Sequence, residues 1–439
     1  MNRRRNRRQF LQQSAAASLG FWASGIALGQ DSKSPNEKLN IAVVGCGGQG
    51  GGNLGGVSGE NIVALCDVDE ERAKNAFAKY ESVKKFADYR KMLDEMGKQI
   101  DAVVVSTPDH MHAPISLAAM KLGKHVYCEK PLTWSVWEAR EMRKVAAEKK
   151  VATQMGNQGT SGGGFRQNVE VIQGGALGNV KEVHVWSNRP IWAQGMTERP
   201  PMQEAPKTLN WDLWLGVAEE RPYNRAYCPF SWRGWWDYGT GALGDMACHT
   251  ANLPFMALKL GYPTAIEAEV SGISKESPPK WSIIKFDFPA RGELPPVKFT
   301  WYDGGKKPSD EVLKVLGDTK IPGSGCLIVG DKGALFTSSD YGQDRKLLPG
   351  DKFADYKAPE PTLARSPGHH REWILACKGG KPAMSNFDYA AFLTETILLG
   401  NVAMRVGKRI DWDGPNMKSP NCPEAEQFVK REYRKGWSV

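Results

Sequence analysis

The stretch "LNIAVVGCGGQG", residues 39–50, decides how the rest of the chain is read. Ile41, Ala42, Val43 and Val44 are apolar on both faces, which suits a short strand buried inside a parallel sheet. Glycines 45, 47, 48 and 50 follow at once. With no side chains in the way, such a turn can reverse tightly and aim backbone N–H groups at an anion. A second apolar run, "NIVALCDVD" (61–69), closes on Asp67, which lies 22 residues beyond Gly45.

Outward from there the chain alternates. "ERAKNAFAKY" suits a helix, "DAVVVSTP" (101–108) a strand stopped by proline, and "APISLAAMKLG" a helix ended by glycine. "HVYCEKP" (125–131) reads as a fourth strand, "SVWEAREMRKVAAEKK" (135–150) as an amphipathic helix, and "VATQMGNQG" as another strand. Short connections between alternating strands and helices predict a doubly wound parallel sheet covered by helices. Beyond about residue 160 the rhythm changes. "KEVHVWSNR", "IEAEVSGIS", "SIIKFDF", "VKFTWYDGG" and "CLIVGDKGALFTS" read as consecutive strands of an open, mainly antiparallel sheet, and "YAAFLTETILLGNVAMRVG" (389–407) as a late helix closing that domain. The expected organisation is an α/β chain with a Rossmann-type domain over 39–160 and a second α/β domain over 161–439.

The N-terminus is of another kind. Arg3, Arg4, Arg5, Arg7 and Arg8 form a basic head, no charge follows from Gln9 to Gln30, and "ALG" (27–29) offers small residues for cleavage. "RRQFL" gives this basic–apolar–small order a twin-arginine character. Residues 1–29 are therefore expected to be an export signal and 30–38 a linker, with the protein placed in the periplasm by the twin-arginine export machinery; an uncleaved anchor is the alternative. Those five arginines supply five of the nine net positive charges, which leaves +4. The remaining chain has no lysine/arginine stripe with interleaved aromatics, so nucleic-acid binding is not expected. The eight cysteines are scattered without a CxxC pair. Zinc-type spacing is absent, so no metal is expected, and Cys46, Cys66 and Cys128 read as buried thiols in strands.

Gly45-x-Gly47-x-x-Gly50 after a strand, with Gln49 in the turn and Asp67 ending the next strand, is the spacing of a dinucleotide fingerprint. An acid at 67 accepts hydrogen bonds from ribose hydroxyls and repels a 2′-phosphate, which favours NAD over NADP; Arg72 softens that preference. "STPDHMHA" (106–113) and "EKP" (129–131) end the third and fourth strands, where a doubly wound sheet holds its ligand. Thr107, Pro108, His112 and Glu129 are candidate cofactor contacts, although His110 and His112 also read as plain turn residues. Lys130 points toward the expected nicotinamide. In "GTGALGDMACHTAN" (239–252), Asp245 and His249 are four apart, hence on one helix face, where a carboxylate can orient an imidazole poised to take a proton. Tryptophans 211, 214, 232, 235 and 236 crowd the approach; most read as core, and one or two facing a cleft would stack on a sugar ring.

Together, Gly45, Gly47, Gly50 and Asp67, "STPDHMHA", "EKP" and "GALGDMACH" resemble the Gfo/Idh/MocA oxidoreductases, and "LNWDLWLG", "WRGWWDYGTGALGDMACHTANLP" and "REYRKGW" resemble their larger, twin-arginine-tagged members. The resemblance implies hydride transfer between a sugar, polyol or cyclitol hydroxyl and a tightly bound nicotinamide cofactor. It implies that Lys130 polarises the substrate oxygen, His249 takes the proton, and Asp245 orients His249 or shares that duty. It sets Trp235, Tyr238 and Asn252 beside the substrate, Asn252 standing where many members carry an acid. It also implies a homodimer or homotetramer built on the open sheet. A redox-neutral NAD-dependent glycosidase, or a non-catalytic sugar-binding protein on the same fold, are the alternatives.

Overall fold

The structure, a computed structural model, is described for residues 37–438; the expected export signal and most of the linker lie outside the described residues. Six parallel strands form the first sheet: β1 (Asn40–Val44), β2 (Asn61–Cys66), β3 (Lys84–Phe86), β4 (Ala102–Val105), β5 (His125–Cys128) and β6 (Thr153–Met155). Their spatial order is β3-β2-β1-β4-β5-β6. The order reverses between β1 and β4, and such a switch point opens a crevice at the carboxyl ends of the strands. Helices α1 (Gln49–Gly56), α2 (Glu70–Lys79), α3 (Tyr89–Met96), α4 (His112–Lys121) and α5 (Val136–Lys149) make the crossovers. Their starts are encoded locally: the Asp69 carboxylate accepts the backbone N–H groups of Glu71 and Arg72, and Ser135 with Glu138 forms a reciprocal capping box. Ile41 and Val43 face one side of the sheet, Ala42 and Val44 the other, and all four are buried. Burial on both faces is why the run in β1 is apolar throughout.

The chain continues through α6 (Gly163–Gln173) into a second sheet. Its strands are β7 (Val180–Trp186), β8 (Ala265–Val270), β9 (Ser282–Phe288), β10 (Val297–Tyr302), β11 (Gly325–Gly330), β12 (Ala334–Thr337), β13 (Lys346–Leu348) and β14 (Ile410–Asp411), in the order β13-β12-β11-β7-β10-β9-β8-β14. The pairings are antiparallel with one exception, β7 with β10, which are parallel. The exception follows from the long excursion between β7 and β8. It holds α7 (Trp211–Leu215), α8 (Gly241–Thr250) and α9 (Asn252–Ala257) and returns the chain to the sheet far from a hairpin position. On one face, Ile284, Phe286, Phe299 and Trp301 join a core with Leu243, Ala247 and the buried side of the last long helix. On the other, Trp186, Tyr302, Leu327 and Phe336 are partly roofed by Leu313 and Leu316, which lie in and just after the short helix α10 (Asp310–Leu313).

Two late elements return to the first sheet. Trp373, Ile374 and Cys377 of α11 (His369–Cys377) bury with Ile41, Val43 and Tyr127. The expected late helix is α12 (Phe387–Val406), which starts at an Asn386 cap and ends at Gly407 with φ 71°. The C-terminal tail also docks on the first half: the Tyr433 hydroxyl donates to Glu138 Oε1 at 2.6 Å, and the Arg90 guanidinium lies 4.1 Å from the Trp437 ring. All eight cysteines are free and buried. Among the described residues no helix is long and apolar enough to cross a membrane.

Candidate active site

A cleft of about 560 Å³ opens at the switch point and runs from the glycine turn to the second sheet. Gly45 leaves β1 at φ 82°, and a Cβ there would come within 2.6 Å of the Ser106 carbonyl oxygen. Gly50 is a packing glycine, since a Cβ would sit 1.9 Å from the Gly45 carbonyl oxygen; it is buried beneath the turn and does not face the cleft. Gly45, Gly47, Gln49 and Asp67 do face it. The Asp67 carboxylate accepts from the Cys46 N–H at 2.7 Å and the Asp69 N–H at 3.0 Å, so it ties the turn to the end of β2. Burial pushes its pKa above the ordinary carboxylate value. Arg72 lies against the turn as well. Thr107 and Pro108 line the next part of the wall, and the Thr107 hydroxyl is buried without a hydrogen-bond partner. Glu129 follows; its Oε1 accepts from Asn53 Nδ2 at 2.9 Å. A close-packed glycine turn, with an acid at the end of β2 on one side and an unpartnered hydroxyl past β4 on the other, fits a dinucleotide.

Lys130 and α8 meet across the middle of the cleft. The Lys130 ammonium donates to Asp245 Oδ1 at 2.6 Å and to the Asp245 carbonyl oxygen at 3.0 Å. Arg233 Nε donates to the same Oδ1 at 2.9 Å, and Arg189 Nε lies 3.9 Å from Oδ2. Burial alone would raise the Asp245 pKa; the charges of Lys130 and Arg233 overcome it and hold the group well below the usual carboxylate range. His249 lines the cleft one helical turn on, with the Tyr341 ring edge-on at 4.9 Å. Its Nδ1 is buried without a partner, which leaves Nε2 toward the cleft. Burial, reinforced by the Lys130 charge, pushes this imidazole down to about 3, so it is neutral at pH 7.

Several sequence expectations are corrected here. Asp245 and His249 share a helix face as expected, but the carboxylate is taken by Lys130 and Arg233 and does not orient the imidazole. Two nearby cations outcompete a neutral ring for one carboxylate. His112 does not face the cleft: Nδ1 lies 2.7 Å from the Pro131 carbonyl and Nε2 2.8 Å from that of Thr107, so the ring sits between the "EKP" and "STP" turns, its one N–H donating to one of the two oxygens. His110 is likewise held between the carbonyls of Trp214 and Tyr238. Trp235 and Tyr238 belong to an aromatic core with Trp214 and Tyr227, and the Trp235 indole donates to the Ala226 carbonyl at 3.0 Å. Asn252 sits behind α8, donating to Thr160 Oγ1 at 2.8 Å and accepting from the Tyr389 hydroxyl at 2.6 Å. The cleft wall beyond Lys130 is made instead by Arg189, Trp192, Phe230, Trp232, Arg233, Asp340 and Tyr341. Trp232 and Arg233 stand within the aromatic stretch already singled out, but irregular backbone has no period to tell which tryptophan faces outward. Asp340 and Tyr341 carry no sequence signal that links them to α8.

A nucleotide-fold half and a second half sharing one cleft, with a lysine from one against an aspartate and a histidine from the other, mark a two-domain dinucleotide-type protein. Residues 39–157 match the model of the oxidoreductase family, NAD-binding Rossmann fold, and residues 169–289 match its C-terminal alpha/beta domain. The chain belongs to the Gfo/Idh/MocA oxidoreductase family. Inositol 2-dehydrogenase of Salmonella typhimurium is 32% identical over 154 residues, 33% of this chain and 45% of that protein. Levoglucosan dehydrogenase of Pseudarthrobacter phenanthrenivorans is 25% identical over 43% of this chain and 40% of that protein. The chain thus aligns with less than half the length of these relatives. Among solved structures, WlbA dehydrogenase from Bordetella pertussis, in complex with NADH and UDP-GlcNAcA, superposes with a TM-score of 0.59 at 17% identity, covering 85% of this chain and 99% of that one. Aldose-aldose oxidoreductase from Caulobacter crescentus gives 0.56 at 18%, covering 85% and 100%. These two share the fold.

Proposed function

We propose that this protein is an NAD-dependent dehydrogenase of a sugar, polyol or cyclitol hydroxyl. The observation that carries the reading is the Lys130 ammonium, charge-paired with Asp245 on α8, in the same cleft as the neutral His249 imidazole and the glycine turn. Bound NAD supplies a two-electron hydride acceptor. Lys130 donates a hydrogen bond to the reacting hydroxyl oxygen and stabilises the negative charge that develops there. Asp245 and Arg233 keep that ammonium aimed. His249 Nε2 takes the hydroxyl proton as the carbonyl forms. Asp67 disfavours a 2′-phosphate, so NAD is preferred to NADP.

His249→Asn is expected to slow hydride transfer by about 10²-fold, the lower end for a positioned base. An imidazole held at about 3 is a weak base, so water can partly replace it. The measurement is the single-turnover rate of nicotinamide reduction at saturating sugar; an unchanged rate would remove His249 from the mechanism.

The N-terminal twin arginines support export of the folded protein to the periplasm with NAD already in place. Free cofactor is scarce there, so bound NAD would be recycled without release, and the part of the outer sheet face not roofed by 310–316 would serve a homo-oligomer. The test is to purify the exported protein, dialyse it extensively, and assay NAD content and absorbance change on adding myo-inositol, D-glucose or levoglucosan. Stoichiometric NAD that becomes reduced is the expected result. A protein without NAD that turns over added cofactor freely would rule out in-place recycling, and the absence of reduction by any polyol would rule out the dehydrogenase.

A further inference from the structure

Most polar groups of the cleft wall are already satisfied. Glu129 is taken by side-chain amides, Asp245 by Lys130 and Arg233, and Asp109 by the N–H and hydroxyl of Thr240. Beyond Lys130, two charged groups of the wall each keep an atom that is buried and makes no hydrogen bond: Arg189 Nε, a donor, and Asp340 Oδ1, an acceptor. Leaving a buried donor or acceptor unmatched is costly, so a protein that keeps one in a cleft wall is prepared for a ligand atom. Arg189 Nε lies 3.9 Å from Asp245 Oδ2, on the helix that carries His249, and Asp340 immediately precedes Tyr341, whose ring stands edge-on to that imidazole with centroids 4.9 Å apart.

The position of Asp340 is built rather than incidental. It lies in the β12–β13 loop, far in sequence from α8 and beyond the 39–157 and 169–289 stretches that match the family. Asp344 braces the loop by accepting from Thr337 Oγ1, Ser338 N and Ser338 Oγ, each at 2.8 Å. Gln343 Nε2 donates to the Gly159 carbonyl at 3.0 Å. At Gly164 a Cβ would lie 1.9 Å from the Gln343 carbonyl oxygen, so the loop seats on the 159–164 segment only because a glycine is there.

Resting on the sugar-oxidising reading above, we infer that Arg189 and Asp340 are the specificity-determining pair of the cleft, reading neighbouring hydroxyls of a neutral polyhydroxylated ring. One hydroxyl donates to Asp340 Oδ1 and another accepts from Arg189 Nε–H, while Lys130 and His249 act on the reacting hydroxyl. A carboxylate or phosphate placed against Asp340 Oδ1 would meet a like charge, so a charged substituent at that ring position is disfavoured. The pair binds and orients the ring and takes no part in proton or hydride transfer.

The test uses the holoprotein and follows two signals, quenching of tryptophan fluorescence (Trp192, Trp214 and Trp232 line the cleft) and reduction of the nicotinamide. The probes are myo-inositol, D-glucose and levoglucosan, with D-glucuronate as the charged control. Asp340→Asn and, separately, Arg189→Gln are expected to raise the dissociation constant and KM of a neutral probe by about ten- to hundredfold. For Asp340→Asn the change in kcat is expected to stay below about threefold, a split that general loosening of the fold would not produce. Asp340→Asn is also expected to narrow the gap between D-glucose and D-glucuronate. The inference is overturned if neither substitution changes the binding of any neutral probe, if no neutral probe quenches at roughly 0.1 M, or if D-glucuronate binds more tightly than D-glucose. Quenching that depends on Asp340 without nicotinamide reduction would sink the dehydrogenase reading and leave the pair standing; reduction indifferent to both substitutions would do the reverse.

Discussion

Lys130→Met is expected to lower the rate of nicotinamide reduction by about 10³-fold, close to 4 kcal/mol of transition-state stabilisation. Methionine keeps the length and apolar stem of lysine and removes only the charged donor. The fold should tolerate the change, because Arg233 still holds Asp245 Oδ1 at 2.9 Å and the buried carboxylate keeps a partner. The NAD content of the purified protein and its melting temperature should therefore stay near those of the parent, with the loss confined to hydride transfer. A Lys130→Met protein that reduces its cofactor at the parent rate would show that the ammonium does not touch the reacting oxygen. Arginine at 130 is not expected to restore the rate, since its planar fork cannot replace a compact ammonium that donates to two oxygens of Asp245 and still reaches the substrate.

The second large effect is on stability in mild acid. Burial holds His110, His249 and His369 at about 3, and holds His112 and His370 below their ordinary value as well. In the unfolded chain a histidine titrates near 6.5. Between those values the unfolded state binds more protons, so stability is full above about pH 6.5 and is lost as the pH falls toward 3. At pH 5 each of the three strongly shifted histidines costs roughly 2 kcal/mol. Asp109 and Asp303 act in the opposite sense. Burial raises both to about 6, so the folded state takes up their protons first, returning roughly 1 kcal/mol each between pH 7 and 5. These five groups together give a loss of about 3 kcal/mol, while His112, His184 and His370 add to it and the raised acids Asp67, Glu138 and Glu395 offset it, so the melting temperature is expected to be lower by roughly 4 °C at pH 5 than at pH 7. A melting temperature that stays flat over that interval would mean the buried imidazoles are not neutral in the folded protein.

The cleft was legible in sequence where its residues sit at the ends of regular elements. Gly45, Gly47, Gln49 and Asp67 follow or end strands, Thr107, Pro108, Glu129 and Lys130 lie just past strand ends, and Asp245 and His249 share a helix face; the structure brings all of them to the cleft. Those placements rest on the periods of strand and helix, which a linear pattern records. Trp235, Tyr238 and Asn252 turn away from the cleft and carry no such pattern, because they lie in or beside irregular or densely packed segments, where neighbouring residues point in unrelated directions. The pairing of Asp245 escapes a linear pattern for a related reason. Four-residue spacing puts two side chains on one face, but a cation from another domain decides which partner the carboxylate takes.

By itself, the order of apolar runs, glycines and prolines determined the doubly wound first half, the mainly antiparallel second half and the crevice at the glycine turn, because backbone hydrogen bonding and burial of alternate faces are local demands. Only the tertiary structure decided that α11 completes the first core, that β7 and β10 run parallel, that Arg189 and Arg233 gather on Asp245, and that the Asp340 loop brings Tyr341 against His249. Those contacts join segments tens to hundreds of residues apart, and what selects them is the competition of packed surfaces and buried charges for one another, which no short stretch of chain encodes.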